Sequence, residues 1–321
     1  MTYSWRGLSL DIARSFFGLP VLTRLVDRLA DLDINRLHLH LSDDQGWRID
    51  IPGRPELTQK SGPTSVDGGD GGFLTVADYA HLVAYAAERG VVVVPEIDLP
   101  GHVNAALHAC PGLNPGGRAP DAYTGTEVGF SHLDVDNPQT LAFLHDVLGA
   151  LAAMTPGPWI HIGGDECPLL DDDAYARLVT MAATIVRDAG HRPIAWQEGS
   201  AAGLGNDLIL QYWRTGESDT PATRQRLLEA VEAGADVILS PASHTYFDLK
   251  YSPGDALGQD WAGTLSVEKT GDWRPEDVLP IDPARILGVE AAIWTEFIHT
   301  PADLDAMLLP RLAAFAEVAH R

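Results

Sequence analysis

An apolar strand ends in two adjacent carboxylates: Trp159-Ile160-His161-Ile162-Gly163-Gly164-Asp165-Glu166. Acids side by side at the end of a buried strand call for a compensating cation, or for a reaction that develops positive charge beside them. Glycosyl transfer is such a reaction, because its transition state resembles an oxocarbenium ion. The paired glycines let the backbone turn sharply and approach a ligand. A purely structural reading competes. The run Asp171-Asp172-Asp173 precedes a helical stretch from Ala174 to Ala189, where acids cap free N–H groups and complement the helix dipole. Those three are read as caps. Asp165 and Glu166 stand too early, on the strand end itself, and remain candidates for chemistry.

The elements that position them follow one rhythm. Short apolar strands are expected at 7–11, 35–41, 91–97, 159–162, 193–197, 208–213, 237–240 and 286–290. Amphipathic helices are expected at 19–32, 75–89, 137–153, 174–189, 223–233 and 301–318. The stretch 91–97 is almost wholly apolar and β-branched, as a strand covered on both faces requires. Eight strands alternating with helices and no break in composition point to an α/β fold, a single parallel (β/α)8 barrel of the TIM type. A doubly wound sheet is the alternative. It would want a glycine-rich phosphate loop after the first strand, and Ile12-Ala13-Arg14-Ser15 is not one.

Active sites of such barrels lie at the C-terminal ends of the strands. The first delivers Asp11 and Arg14, the second His38, His40, Asp43 and Asp44, the third Glu96, Asp98 and His102. The fourth delivers Asp165 and Glu166, the fifth Trp196 and Glu198, the sixth Tyr212 and Trp213. His244, Tyr246 and Asp248 follow the seventh, and Trp294 and Glu296 the eighth. A lone tryptophan is usually core and a lone strand-end Asp often caps a helix. All eight ends carrying aromatic or ionisable groups is harder to dismiss. Flat aromatic faces pack on the C–H faces of sugars, while carboxylates and Arg fork onto hydroxyls, so the mixture suits a carbohydrate. A metal site competes, because His38-Leu39-His40 puts two imidazoles on one side of a strand. It would need further ligands, with His102 and His161 available. No metal and no cofactor is the preferred expectation.

The chain has 321 residues and a formal net charge of −23, with no basic stripe, which argues against nucleic acid and anionic membranes as partners. Its two cysteines, Cys110 and Cys167, make neither a disulfide framework nor a zinc ribbon, and free thiols are expected. No signal peptide and no membrane-spanning stretch is visible, so an intracellular protein, or a secreted one without its leader, is expected.

Several blocks resemble the family 20 glycoside hydrolases, the β-N-acetylhexosaminidases. They are Arg6-Gly7-Leu8-Ser9-Leu10-Asp11-Ile12-Ala13-Arg14, His38-Leu39-His40-Leu41-Ser42-Asp43-Asp44-Gln45-Gly46-Trp47-Arg48, Pro95-Glu96-Ile97-Asp98-Leu99-Pro100-Gly101-His102, His161-Ile162-Gly163-Gly164-Asp165-Glu166 and Trp294-Thr295-Glu296. They occur in the family's order and span nearly the whole chain. The resemblance implies substrate-assisted hydrolysis of terminal β-linked N-acetylhexosamines, in which the 2-acetamido oxygen attacks the anomeric carbon and configuration is retained. It implies Glu166 as general acid and base, Asp165 as acceptor of the acetamide N–H, and Tyr246 as donor to the acetamide oxygen. His102 and Asp43 would form a relay to the acid. Trp196, Trp213 and Trp294 would wall the pocket, Arg14 would fork onto the 3- and 4-hydroxyls, and Asp248 and Glu296 would bind outer hydroxyls. Asp11 and Asp98 are expected to brace, and His38 and His40 to pack or support. Release of a disaccharide, as by lacto-N-biosidases, and cleavage of β-1,6-linked poly-N-acetylglucosamine are alternatives within the family. A non-catalytic sugar-binding barrel is the alternative outside it. Because Arg6 stands almost at the start, residues 1–321 are expected to form one catalytic barrel without a separate N-terminal domain. The partner would be an N-acetylhexosamine-terminated oligosaccharide or glycoconjugate.

Overall fold

The structure, a computed structural model, describes residues 3–321; Met1 and Thr2 lie outside the described residues. Eight parallel strands close in chain order into one barrel. They are β1 (Trp5–Asp11), β2 (Arg36–His40), β3 (Val92–Glu96), β4 (Trp159–His161), β5 (Arg192–Trp196), β6 (Ile209–Tyr212), β7 (Asp236–Leu239) and β8 (Ile286–Ile293). The barrel closes where β1 pairs β8, in register from Trp5 opposite Gly288 to Leu10 opposite Ile293. The expected single (β/α)8 barrel is therefore the fold.

The helices form where the sequence supplies a start and an apolar stripe. Leu19–Asp31 buries Leu22, Leu25, Val26 and Leu29, a spacing that keeps one face on the barrel. Val76–Ala87 starts with a capping box between Thr75 and Asp78. Asn137 caps Pro138–Met154. Asp171 caps Asp172–Asp188 by accepting from the Ala174 N–H at 2.8 Å, as its position suggested. Two departures, in the last helix and in β8, have physical reasons. The expected terminal helix divides into Pro301–Leu308 and Arg311–Ala319, because Pro310 has no N–H to continue the first. Between β5 and β6, where no helix is expected, the described residues hold only 3-10 turns, Gln197–Ala202 and Gly205–Asp207, in a short connection with Gly199, Gly203 and Gly205. β8 runs to Ile293, past its expected end, because Ala291 and Ala292 pack with no exposed surface against β1.

The barrel interior is layered. Towards the N-terminal ends of the strands Trp5, Val94, Ile194, Ile209 and Ile238 form an apolar plug. Above the plug the inward positions are polar: His38, Glu96, His161, Gln211 and Glu290 are all essentially without exposed surface. Gly7 makes room for this layer, because a Cβ there would lie 2.1 Å from Glu290 Oε2. The loops after β1 and β2 are tied together by buried Arg48, which donates to the carbonyls of Ile12 at 2.9 Å and Gly62 at 2.8 Å. Cys110 and Cys167 are both free. Among the described residues no helix is long and apolar enough to cross a membrane.

Gly163 has φ +70°, and a Cβ on it would lie 1.7 Å from Asp98 Oδ1. Gly163→Ala is expected to destabilise the fold by about 2–4 kcal/mol, combining left-handed strain with displacement of a buried carboxyl. Equilibrium denaturant unfolding of the two proteins checks this.

Candidate active site

Each strand end places its side chain by a local device. After β1, Asp11 Oδ1 accepts from the N–H groups of Ala13 (2.8 Å) and Arg14 (3.1 Å), which curls the chain. The other oxygen accepts from Thr295 N–H at 3.1 Å and so joins the loops after β1 and β8. Asp11 thus braces, as expected. Arg14, turned by that curl, reaches Asp43 Oδ2 at 2.8 Å and lies 5.3 Å from the centre of the Trp294 ring. After β2, Asp43 gathers three side-chain partners, Arg14, His40 Nε2 at 2.7 Å and His102 Nδ1 at 3.2 Å. Its neighbour Asp44 serves the scaffold, accepting from Asn104 N–H and Ser131 Oγ–H.

The loops after β3 and β4 carry the strain. His102 (φ +53°) and Glu166 (φ +44°) are left-handed without being glycine. Gly163 and Gly164 precede Glu166 at φ +70° and +113°, and Asp98 Oδ1 anchors the turn by accepting from Gly164 N–H at 3.1 Å. This turn brings both acids to one imidazole: His102 Nε2 stands 3.5 Å from Glu166 and 3.9 Å from Asp165.

The remaining ends supply aromatic walls. Trp213 stacks on Tyr246 with ring centres 6.2 Å apart, and Tyr246 meets Trp294 edge-on at 6.0 Å. Trp213 is oriented by its N–H donating to Glu198 at 3.1 Å, and Glu198 is held by Arg214. A cavity of about 240 Å³ opens among these groups, lined by Arg14, Asp43, Asp165, Glu166, Tyr246 and Glu296 together with Trp213 and Trp294. Three expected residues stand behind the lining. His102 supports the acids, and Trp196, one layer down, donates to Glu96 at 2.9 Å and packs 5.7 Å from Trp294. Asp248 is buried beside Glu296, with its Oδ2 unpartnered. Tyr212 and His244 leave the site for Asp219 and the Lys269 carbonyl. His40 and Asp98, expected to be supporting, also reach the cavity. Val128 and Trp261, which the sequence did not single out, line its mouth and are 44% and 49% exposed. A tryptophan inside the polar loop Gln259-Asp260-Trp261-Ala262-Gly263 was the available signal.

Burial raises the Asp165 carboxyl to about 7, with Glu166 and Glu198 adding to the rise and His102 opposing it. Burial also works to raise Glu166, but His102, Arg14 and Arg214 outweigh it and hold that group below its ordinary value. In the empty pocket the proton of the pair therefore favours Asp165. Ligand-type atoms of His38, Glu96 and His161, and of His102, Asp165 and Glu166, lie within 4.8 Å of one another. These are the same atoms that pair as imidazole and carboxylate, and such pairing accounts for their approach.

The catalytic-domain model of glycosyl hydrolase family 20 matches residues 3–177 and 170–321. The chain belongs to glycosyl hydrolase family 20. It is 50% identical over 318 residues to a β-N-acetylhexosaminidase of Cellulomonas fimi, covering 99% of this chain and 63% of that protein. It is 33% identical to a β-hexosaminidase of Vibrio furnissii, covering 98% of this chain and 56% of that one. The solved N-acetyl-β-hexosaminidase of Streptomyces plicatus in complex with Thio-NAglucal superposes with a TM-score of 0.96 at 44% identity, over 99% of this chain and 64% of that one. The chain thus spans a little under two thirds of the length of these family 20 relatives.

A carboxyl held at about 7 in the fold and near 3.9 when unfolded works against folding progressively as pH rises between those values. Asp165→Asn removes that penalty. The variant is expected to unfold at a higher temperature than the parent at pH 8, with the gap closing as pH falls to 4, as thermal scans across that range would show.

Proposed function

We propose that this family 20 chain is a retaining, exo-acting β-N-acetylhexosaminidase that removes terminal β-linked N-acetylglucosamine or N-acetylgalactosamine by substrate-assisted catalysis. The observation that carries the reading is the convergence of Asp165 and Glu166 on the single imidazole of His102, at 3.9 and 3.5 Å. An enzyme nucleophile and its acid must face opposite sides of the sugar, and two neighbours on one turn serve that geometry badly. If the substrate's own acetamide oxygen attacks, no enzyme nucleophile is needed. One acid then protonates the departing oxygen while its neighbour handles the acetamide.

In this scheme Glu166 is the proton donor and afterwards the base that activates water. Asp165, whose Oδ1 is buried without a partner, accepts the acetamide N–H and faces the positive charge that develops there. Arrival of that N–H favours the Asp165 anion, which drives the shared proton towards Glu166, where the first step needs it. Tyr246 donates to the acetamide oxygen and aims it at the anomeric carbon. Trp213 and Trp294 pack the sugar face and the acetyl methyl, with Trp196 backing Trp294. Arg14, Asp248 and Glu296 bind the outer hydroxyls and close the end of the pocket. The small volume, about 240 Å³, favours one sugar over the disaccharide that lacto-N-biosidases remove.

Glu166→Gln is expected to lower kcat/KM for a β-linked disaccharide by about 10²–10⁴-fold while sparing a dinitrophenyl N-acetylglucosaminide much more. Equal losses on both substrates contradict the acid assignment. Binding of the sugar without turnover by the parent protein supports a lectin instead. A matched glucoside carrying a 2-hydroxyl in place of the acetamide is expected to turn over at least a hundredfold more slowly, and comparable rates remove the case for acetamide attack. Turnover is expected to survive a chelator, and its loss favours the metallohydrolase alternative.

A further inference from the structure

The polar layer inside the barrel is not a set of separate pairs. Carboxylates and imidazoles alternate from its floor to the pocket. Glu290 Oε1 lies 2.8 Å from His38 Nδ1, and His38 Nε2 lies 3.1 Å from Glu96 Oε2. Glu96 Oε2 lies 2.6 Å from His40 Nδ1, and His40 Nε2 lies 2.7 Å from Asp43 Oδ2. Asp43 then meets His102, which meets Glu166.

The two contacts of His40 have the length of charge-assisted hydrogen bonds. A neutral imidazole carries one N–H, so it would set a bare nitrogen against a carboxylate oxygen at one of the two contacts. The proton that resolves this conflict belongs to the ring or to one of its acids. Both acids already accept from other donors. Asp43 accepts from Arg14 (2.8 Å) and from Asp44 N–H (2.6 Å), with His102 Nδ1 at 3.2 Å. Glu96 accepts from Trp196 Nε1–H at 2.9 Å and stands 3.0 Å from His161 Nδ1 and 3.1 Å from His38 Nε2. Asp43, with a partner at each oxygen besides His40, has no vacancy for a proton, and Glu96 meets His40 at its shortest contact while its other oxygen accepts from Trp196.

We infer that His40 is a permanent imidazolium clamped between Glu96 and Asp43, and that this fixed cation is a positioning group which sets how tightly Glu166 holds its catalytic proton. The inference rests on the glycosidase reading only for the second half. Burial opposes the charge on His40, but Glu96 and Asp43 outweigh it and push the ring well above its ordinary value. The other titratable or charged groups of the same layer and pocket are Arg14 and Asp11 at the end of β1, His38 on its own strand, and Asp98 and His102 from the loop after β3. His161 and Asp165 follow on and after β4, and Glu290 and Glu296 on and after β8, with Asp98 the one that approaches His40 directly. From β8 the ring also meets the edge of Trp294 at 5.1 Å. Asp43 relays the effect. With a cation beneath it, Asp43 pulls less strongly on the His102 proton, and His102 in turn holds Glu166 less basic.

Nitrogen-15 NMR of histidine-labelled protein tests the first half without any substrate. At pH 8 both ring nitrogens of His40, assigned through its own Cβ, are expected to be protonated. One protonated and one bare nitrogen overturns the inference. In Glu96→Gln the ring is expected to be neutral at pH 8, and a ring that stays charged removes Glu96 as its holder. His40→Gln tests the second half. The alkaline limb of the pH profile of kcat/KM, which reports the free enzyme's acid, is expected to move up by about half a pH unit or more. A lower rate with an unmoved limb overturns the inference and leaves His40 a packing group. If His40→Gln does not fold, Glu96→Gln gives the same reading of the limb. A protein that turns nothing over, with His40 still charged, fails as a glycosidase and leaves the charge state standing.

Discussion

Asp43 is the carboxylate on which the site depends. It is 1% exposed, and an ionised acid at that depth is tolerated only when donors surround it. Those donors come from every side: Arg14 from the loop after β1, His40 from β2, His102 from the loop after β3 and the N–H of Asp44 beside it. One buried charge therefore fixes the relative placement of three loops. It also explains why Arg14 and His102 hold defined positions at the rim. Moving any one of them leaves the anion short of a partner, a loss of several kcal/mol for a buried pair.

The same requirement shapes the barrel below. An interior of aliphatic layers would be simpler to bury, and the plug of Trp5, Val94, Ile194, Ile209 and Ile238 follows that rule. Above it Glu96 and Glu290 lie without exposed surface, and each is met by histidine and tryptophan N–H, Glu290 by glutamine as well. A polar network held in this way is rigid, because every rotation breaks a buried hydrogen bond. Rigidity beneath the pocket matters because the site above it relies on two loops that each hold a left-handed non-glycine residue, His102 and Glu166. Strain of that kind persists only when the surroundings over-determine it.

Most of the barrel was legible from alternation, since each strand buries its residues between helix layer and interior. The site was legible because in this fold chemistry gathers at strand ends, so a list of strand-end residues is nearly a list of the pocket. What stayed hidden has identifiable causes. Period-2 spacing put His38 and His40 on one face, but it carries no information on the partners arriving from β3 and β8, so a supporting role was all it gave His40. Trp261 and Val128 lie in loops with no periodicity, and their place at the mouth depends on how those loops fold back. Pro310 was readable as a break in the last helix, and the apolar run through it masked the stop. The β5–β6 connection was left without a helix from sequence too, and its glycines were the reason in both views.

Unpartnered polar atoms occur both in the polar layer of the barrel and around the pocket. Arg14 Nε, Asp98 Oδ2, Asp165 Oδ1 and Asp248 Oδ2 are buried without hydrogen bonds, and all four belong to groups in or beside the pocket. Each orphaned polar atom destabilises the protein by about 1–3 kcal/mol. His38 Nε2, His161 Nε2 and Gln211 Oε1 in the layer below are unpartnered as well, so the deficit is not confined to the pocket. Of the pocket's own lining, this deficit falls on a donor of Arg14 and on acceptors of Asp98 and Asp165. Under the proposed function, a sugar carrying hydroxyls and one amide relieves part of that penalty, and a ligand that merely fills the volume does not. On that reading selectivity comes from polar atoms the fold itself leaves unpaired, and the column of imidazoles and carboxylates beneath holds them in place.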